Sequence, residues 1–394
     1  MPHVTPELLR LLRTPEGMKA LAAAAEVAGG EPLAAASALR AGGFGAELAA
    51  AALTQASLRE RAAMKFGQVA AGMFFTRAGL EQATRAVVAD RRAARLAAAG
   101  VRTLADLGCG LGADALAAAR HGIAVHAVDA DPTTAAMAAA NAEAAGLADR
   151  ITVECADATT VPVERYDAVF ADPARRQAGR GRVFDPKAYS PPWDFIAALP
   201  RRVPRTVLKL APGIDHGLLP PGAEGEWVSV GGDLVEAAFW CGPLAEVPRR
   251  AVLLGPNSVL TGAGNKSAGV GPVGAWIYDP DPAVVRSHLV AEFAESVGGR
   301  LADPQIAYVY TDDPVDTPFA RRLGVTEVLP FSLKRLRALL RERGVGVLEI
   351  RKRGSALVPD QLRKDLRLSG PNTAGLVLTR VEGAPVALLT TSAM

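Results

Sequence analysis

The sequence predicts an α/β protein: a parallel sheet covered by helices, an N-terminal helical region before it, and a small basic α+β region after it. Three observations carry that prediction. Across residues 103–210 short apolar runs alternate with helical segments, the pattern of a sheet buried on both faces. Ahead of them, residues 5 to about 97 read as helix after helix, with no strand pattern between. Beyond a stretch dense in Gly and Pro, PNSVLTGAGNKSAGVGPVG, strand and helix alternate again, now rich in Lys and Arg.

Taken in order, TPELLRLLRT and PEGMKALAAAAEVAG open the helical region, a short helix is expected around 34–39, and a long amphipathic one over 46–65. The sheet is expected from TLADLG, AVHAVDA, ITVECAD, YDAVFAD and TVLKLA, with ADALAAARHG and TTAAMAAANAEAAG as covering helices. EWVSVGG, LVEAAFW and AVLLG read as antiparallel additions at a sheet edge. The last region offers AWIYDP, a helix over 282–296, IAYVYT, the basic helix LKRLRALLRERG, GVLEIRKRG, the helix PDQLRKDLRL, and the strands AGLVLTRV and VALLTT. The expected division is 1–75 helical, 76–254 α/β, and 255–394 linker plus α+β domain, within the two or three compact units that 394 residues suggest. No internal repeat is present.

Composition narrows the function. Half the chain is hydrophobic (49%), yet apolar runs never reach 18 residues, so no membrane span is expected, and Arg and Pro come too early at the start for a signal peptide. Cys109, Cys155 and Cys241 show neither even pairing nor metal-ligand spacing, which points to a reducing, cytoplasmic setting without a structural metal. Net charge is only +3, but residues 319–380 hold fourteen Lys and Arg against five Asp and Glu, a local +9 that leaves −6 for the remainder. The cations fall in three runs: Lys334, Arg335, Arg337, Arg341 and Arg343; Arg351, Lys352 and Arg353; Arg363, Lys364 and Arg367. Such a face attracts a phosphate backbone, and with aromatics at 5% it would use phosphate contacts and shape rather than base stacking. A solvated helix face is the plainer reading of any single run. Arg175, Arg176, Arg180 and Arg182 follow a DP turn and could extend the basic track, or cover a loop.

The strongest local motif is ADLGCGLG, where Asp106, Gly108, Gly110 and Gly112 join an apolar strand to a helix. Glycines there allow a sharp turn and close approach of a ligand to the main chain beside a helix N-terminus. Ala113 also meets the GxGxxA spacing of a dinucleotide site. Asp106, two residues before the first glycine, tilts the choice towards a cationic ligand without phosphate. Asp129 ends the second strand, where a carboxylate can take two ribose hydroxyls, as it would in a dinucleotide enzyme too. Asp157 follows the third strand, suited to an exocyclic amine, and Asp172 with Pro173 follows the fourth. All four acids fall at carboxyl ends of successive strands, where open α/β sheets bind ligands.

The order DLGCGLG, VDAD, CADAT and DPAR resembles the class I S-adenosylmethionine-dependent methyltransferases over about residues 75–250. The resemblance implies a Rossmann-like sheet, S-adenosylmethionine as cofactor, Asp106, Gly108 and Gly110 along its methionine side, Asp129 at its ribose and Asp157 at its adenine, with Asp172 completing the pocket. KFGQVAAGMFFTRAGLEQATR before the first strand, with LEIRKRG, LRLSGPN and LVLTRV near the end, is similar to a bacterial subgroup carrying a THUMP-like C-terminal domain, here expected to be a small ferredoxin-like α+β fold. THUMP domains belong to RNA-modifying enzymes, so RNA is the implied partner and RNA methylation the implied activity.

Two features bear on the chemistry. Where amino-methylating relatives carry Pro and an aromatic after the acid and first proline, this sequence has Ala174 and Arg175, so no ring stacks on a flipped base from that position. No cysteine follows the fourth or fifth strand, which disfavours a covalent pyrimidine adduct. A second likeness concerns Lys65, Asp172, Lys209 and Glu236: Lys, Asp, Lys, Glu in this order resembles the tetrad of ribose 2′-O methyltransferases, in which Lys209 would deprotonate or orient a hydroxyl. A structural Lys209–Glu236 pair with Lys65 on the surface is the competing reading. The leading expectation is transfer of a methyl group to a nucleotide N or O without a covalent intermediate. The alternatives are a small-molecule or protein methyltransferase, a non-catalytic RNA-binding protein that keeps the cofactor fold, and an NAD-dependent oxidoreductase.

Overall fold

The computed structural model describes residues 5–175 and 189–391. Arg176, Arg180 and Arg182 lie outside them, and of Arg175 only the backbone is described. The chain divides into two compact units: residues 1–210, 214–223 and 238–246 form the first, and 211–213, 224–237 and 247–394 the second.

The first unit opens with helices α1 (Pro6–Leu12), α2 (Pro15–Glu26), α3 (Pro32–Ala41) and α4 (Ala46–Phe66). Thr5, Thr14 and Glu31 each cap a helix whose first residue is proline, so φ is preset and an orphan N–H is satisfied. A 3-10 turn at Gly67–Gly72 leads to α5 (Arg77–Gln82) and α6 (Ala86–Ala98). Then come β1 (Thr103–Leu107), α7 (Ala113–Arg120), β2 (Ala124–Asp129), α8 (Pro132–Ala144), β3 (Ile151–Cys155) and β4 (Ala168–Ala171). The short pair β5 (Ala174–Arg175) and β6 (Tyr189–Ser190), α9 (Trp193–Arg202) and β7 (Thr206–Leu210) follow. In sheet order the parallel strands run β7, β4, β1, β2, β3, so the chain crosses from β3 back past β1 to β4. That reversal lies between β1 and β4, and it opens the crevice where such sheets take ligands. The alanine-rich helices fit because small side chains let them approach one another and the sheet, joining Leu9, Leu12, Ala52, Phe75, Leu104, Ala117 and Met137 in one buried core.

The second unit holds β8 (Glu224–Val230), most of β9 (Asp233–Trp240), β10 (Arg249–Leu254) and β11 (Ser258–Gly262). Gly231 and Gly232, both at positive φ, turn β8 into β9 as a two-residue hairpin demands. The expected antiparallel additions are corrected in one respect: β10 runs parallel to β8, because residues 241–248 carry the chain back before it re-enters, and only β11 is antiparallel to β10. Next are β12 (Trp276–Pro280), α10 (Pro282–Arg286), α11 (Val290–Ser296), β13 (Arg300–Leu301) and β14 (Val309–Thr311). The single helix expected over 282–296 is two, broken where His288 adopts φ +63°.

The C-terminal elements are β15 (Ala320–Pro330), α12 (Leu333–Glu342), β16 (Val345–Lys352), α13 (Pro359–Leu366), β17 (Asn372–Val381) and β18 (Ala384–Thr390). They form the expected α+β plan in a seven-stranded sheet of order β13, β14, β12, β15, β18, β17, β16. Its connectivity differs from the ferredoxin-like β–α–β–β–α–β scheme: here it is β–α–β–α–β–β, with β16 and β17 parallel. Leu336 and Leu340 of α12 and Leu362 and Leu366 of α13 bury against Leu376, Leu378 and Leu389.

Candidate active site

Four parallel strands, β4, β1, β2 and β3, point their carboxyl ends to one edge, and each end brings a carboxylate there. Between β1 and α7 the chain turns through Gly108, Gly110 and Gly112 at φ +85°, +57° and +83°. The N–H groups of Gly108 and Cys109 both donate to Val128 O, at 2.9 and 3.0 Å, pinning the turn to β2. Gly108 has a second constraint. A Cβ there would lie 2.8 Å from Asp172 O, so only glycine lets the ends of β1 and β4 come this close. A Cβ on Gly110 would meet nothing within 4 Å, so its backbone faces open space.

Asp106 sits inside β1 with no exposed surface, and neither carboxylate oxygen has a hydrogen-bond partner. Burial pushes its pKa well above the ordinary carboxylate range, helped by Asp114 and Asp172 and opposed by Arg92 and Lys209. Both opposing cations are committed elsewhere. Arg92, itself buried, pairs with Asp114, which also accepts from Thr84 Oγ1 at 2.7 Å, and Lys209 Nζ donates to Asp172 Oδ2 at 2.5 Å. Asp114 and Asp172 each hold a cation, whereas Asp106 has no hydrogen-bond partner. A buried acid in that position is completed either by a proton or by a cationic ligand.

Asp129 closes β2. Its two oxygens accept from Gly110 N–H and Asp131 N–H, both at 3.0 Å, and each keeps a lone pair for a hydroxyl. Burial raises its pKa and these two bonds pull it back. Asp157, two residues past β3, is exposed and caps a short 3-10 turn through Thr159 N–H and Thr159 Oγ1, both at 2.8 Å, which lowers its pKa. The geometry therefore brings Asp106, Gly108, Gly110, Asp129, Asp157 and Asp172 to one edge.

Lys209 lies on β7 beside Asp172, with the pair only partly exposed. Lys65, at the end of α4, spends its ammonium on three main-chain carbonyls, those of Leu80 (2.7 Å), Glu81 (2.8 Å) and Ala83 (3.1 Å), capping the end of α5. Burial and the nearby charges of Arg85 and Lys209 lower its pKa. Glu236 is buried on β9 within the second unit. Cys109 and Cys241 are poor nucleophiles: burial, then Asp106 and Asp129, push the Cys109 thiol up, and burial takes Cys241 to about 12. Among the described residues no cluster of His, Cys, Asp and Glu could hold a metal ion.

Two buried amides hold the chain leading into this edge, and neither stood out in the sequence. Asn141 of α8 accepts from Phe74 N–H at 2.7 Å and donates to Phe74 O and to Leu111 O of the glycine turn. Gln55 of α4 makes the matching pair with Phe75, at 2.9 and 2.7 Å. The signal available was a lone amide in an otherwise apolar helical run, which is costly to bury unless it is fully bonded.

A glycine turn ringed by strand-end carboxylates, one of them buried and unanswered, defines an α/β enzyme built to take a cationic nucleoside. The comparisons with known proteins agree. A family model described as a methyltransferase domain matches residues 104–177, one described as THUMP domain-like matches 320–392, and a domain of unknown function (DUF8688) matches 5–62. An uncharacterized S-adenosylmethionine-dependent methyltransferase, found in two strains of Mycobacterium tuberculosis, is 40% identical over 337 residues, covering 82% of this chain and 90% of the relative. A crystal structure from Porphyromonas gingivalis, described as a methyltransferase, covers 96% of this chain and 99% of its own with a TM-score of 0.72; at 21% identity that likeness speaks for the fold. The chain belongs to the S-adenosylmethionine-dependent methyltransferases, and S-adenosylmethionine is its cofactor. The orphaned Asp106 carboxylate, the open backbone at Gly110 and the free lone pairs of Asp129 fit that cofactor. Among the described residues no helix is long and apolar enough to cross a membrane.

Proposed function

We propose that this methyltransferase acts on RNA, transferring the methyl group to a nucleotide nitrogen or oxygen with no covalent link to the enzyme. The observation that carries the reading is the THUMP-like domain over residues 320–392, whose fourteen Lys and Arg against six Asp and Glu give a local charge of +8 suited to a phosphate backbone. The cofactor supplies the methyl on a sulfonium, already a good electrophile, so the protein's task is positioning.

In this reading Asp106, Gly108 and Gly110 receive the methionine side, Asp129 the ribose and Asp157 the adenine. Asp172 and Lys209, joined at 2.5 Å, hold the acceptor at the mouth, with Lys209 taking or orienting its proton. Lys65 acts through the α5 end that it caps, as a positioning residue. Glu236 enters as a buried support for β9. The suppressed thiols of Cys109 and Cys241 support direct transfer over a cysteine adduct.

The test is tritiated methyl incorporation by the full-length enzyme into RNA from a strain lacking its gene, followed by mass spectrometry of nucleosides from that strain and its parent. One modified nucleoside missing from the deletion strain and restored by the enzyme is the expected result. Identical nucleoside profiles, with no incorporation, would exclude RNA as substrate.

A further inference from the structure

Most of the cations that make the C-terminal domain basic are already answered within the second unit. Asp279 takes both Arg351 and Arg353, and Glu349 takes Arg351 and Arg321. Arg343 pairs with Glu327, Arg322 with Asp316, and Arg363 with Asp360. Arg337 donates to Asp365 O and Lys352 to Leu357 O. A paired guanidinium presents little net field to a polyanion, so the three runs of charge in the sequence are not equivalent as contacts.

Among the described residues, Lys334, Arg335, Arg341, Lys364 and Arg367 make no ion pair and no side-chain hydrogen bond, and all five are exposed. They cluster on one layer. Lys334 and Arg341 are two turns apart on α12, opposite the buried Leu336 and Leu340; Lys364 stands opposite Leu362 and Leu366 on α13, and Arg367 ends that helix. The two helices touch one another and cover the same strand, β16, so the free charges share the outer side of one helical layer. Glu342 is the exposed acid on α12 itself. Lys334 and Arg335 sit in the first turn of α12, where the helix dipole opposes cations and no acid offsets them. Lys334 and Arg335 therefore do not serve the stability of their own helix.

We propose that the outer face of α12 and α13, through Lys334, Arg335, Arg341, Lys364 and Arg367, is the surface that carries the RNA backbone, and that the strand cluster Arg351–Arg353 is scaffold. This assignment rests on the RNA reading above. Its content is the choice of face: unanswered cations on helices, rather than the denser run at the end of β16, bind the phosphates.

The probe is a fluorescently labelled single-stranded RNA of about 25 nucleotides, titrated with the full-length protein from about 0.05 to 0.3 M KCl. Four Gln replacements, at Lys334, Arg335, Arg341 and Lys364, are expected to reduce the salt slope by roughly 3, at ~0.7 for each phosphate no longer neutralised, and to weaken binding at least tenfold near 0.1 M KCl. A control with Arg343→Gln and Arg363→Gln, exposed but paired, is expected to bind within about twofold of the unaltered protein. Unchanged far-ultraviolet circular dichroism and melting temperature establish that the helix variant is folded. If the unaltered protein binds and the helix variant binds equally well, the choice of face is wrong while the RNA reading stands. If the unaltered protein binds no RNA even at the lowest salt, the RNA reading itself falls. Binding to vesicles of anionic phospholipid, with none to RNA, would reassign the face to a membrane surface and overturn both.

Discussion

The carboxyl edge of the first unit's sheet and the strand face around Asp279 in the second handle surplus charge in opposite ways. At the first, Asp114 and Asp172 each hold a cation, while Asp106 is sealed from water without a hydrogen-bond partner. At the second, an acid recruited from β12 pairs with two arginines of one basic run, and Glu349 shares the first of them. An answered charge is engaged within the fold, whereas an unanswered one keeps its field for solvent or a ligand. Net charge read from composition cannot separate the two.

The largest test of that contrast concerns the answered pair inside the active edge. Lys209→Met is expected to lower methyl transfer by about 10²–10⁴-fold, the usual worth of a positioned proton acceptor, while the cofactor dissociation constant moves by less than about tenfold. Steady-state rates beside calorimetric binding measure both; full turnover would show that the pair is structural. Replacing the buried amide in Asn141→Ala leaves Phe74 N–H, Phe74 O and Leu111 O without partners and is expected to destabilise the first unit by about 3 kcal/mol, read as a lower urea midpoint at constant slope. A change under about 1 kcal/mol would mean that water replaces the amide.

Asp106 sharpens the comparison through pH. Its raised pKa means that the folded, cofactor-free protein holds a proton that the unfolded chain releases near the ordinary carboxylate value of 3.8. Stability from this group is therefore present below that value and is lost as pH rises through the folded pKa. The groups facing it are Asp114, Asp172, Arg92 and Lys209, of which the first two reinforce the shift. A cationic ligand reverses the balance, so cofactor binding is expected to release a proton and to tighten with pH over that window, at most about tenfold per unit. Calorimetry in buffers of different ionisation enthalpy counts the proton, and Asp106→Asn should abolish the count. The smallest effect belongs to an answered surface pair: Arg363→Gln is expected to cost under about 0.5 kcal/mol in thermal unfolding.

The alternation of short strands and alanine-rich helices was legible because each element announces its own period, and the four strand-end acids were legible because a parallel sheet puts all its carboxyl ends together. What escaped depends on distant partners. Asp279 is separated by 72 and 74 residues from the arginines it pairs with, so the run Arg351–Arg353 looked free. The parallel sense of β10 depends on where residues 241–248 carry the chain, and the break at His288 on a single left-handed residue in an otherwise helical pattern. Gln55 and Asn141 passed as ordinary letters in alanine runs, because a run does not say which of its faces is dry.

Asn141 ties the stretch before β1, the glycine turn and the α8 helix into a single knot. The same amide therefore couples the cofactor turn to Phe74, and Gln55 couples the next residue, Phe75, to the N-terminal bundle. Amide protons of Phe74 and Phe75 should slow together in hydrogen exchange when the cofactor binds.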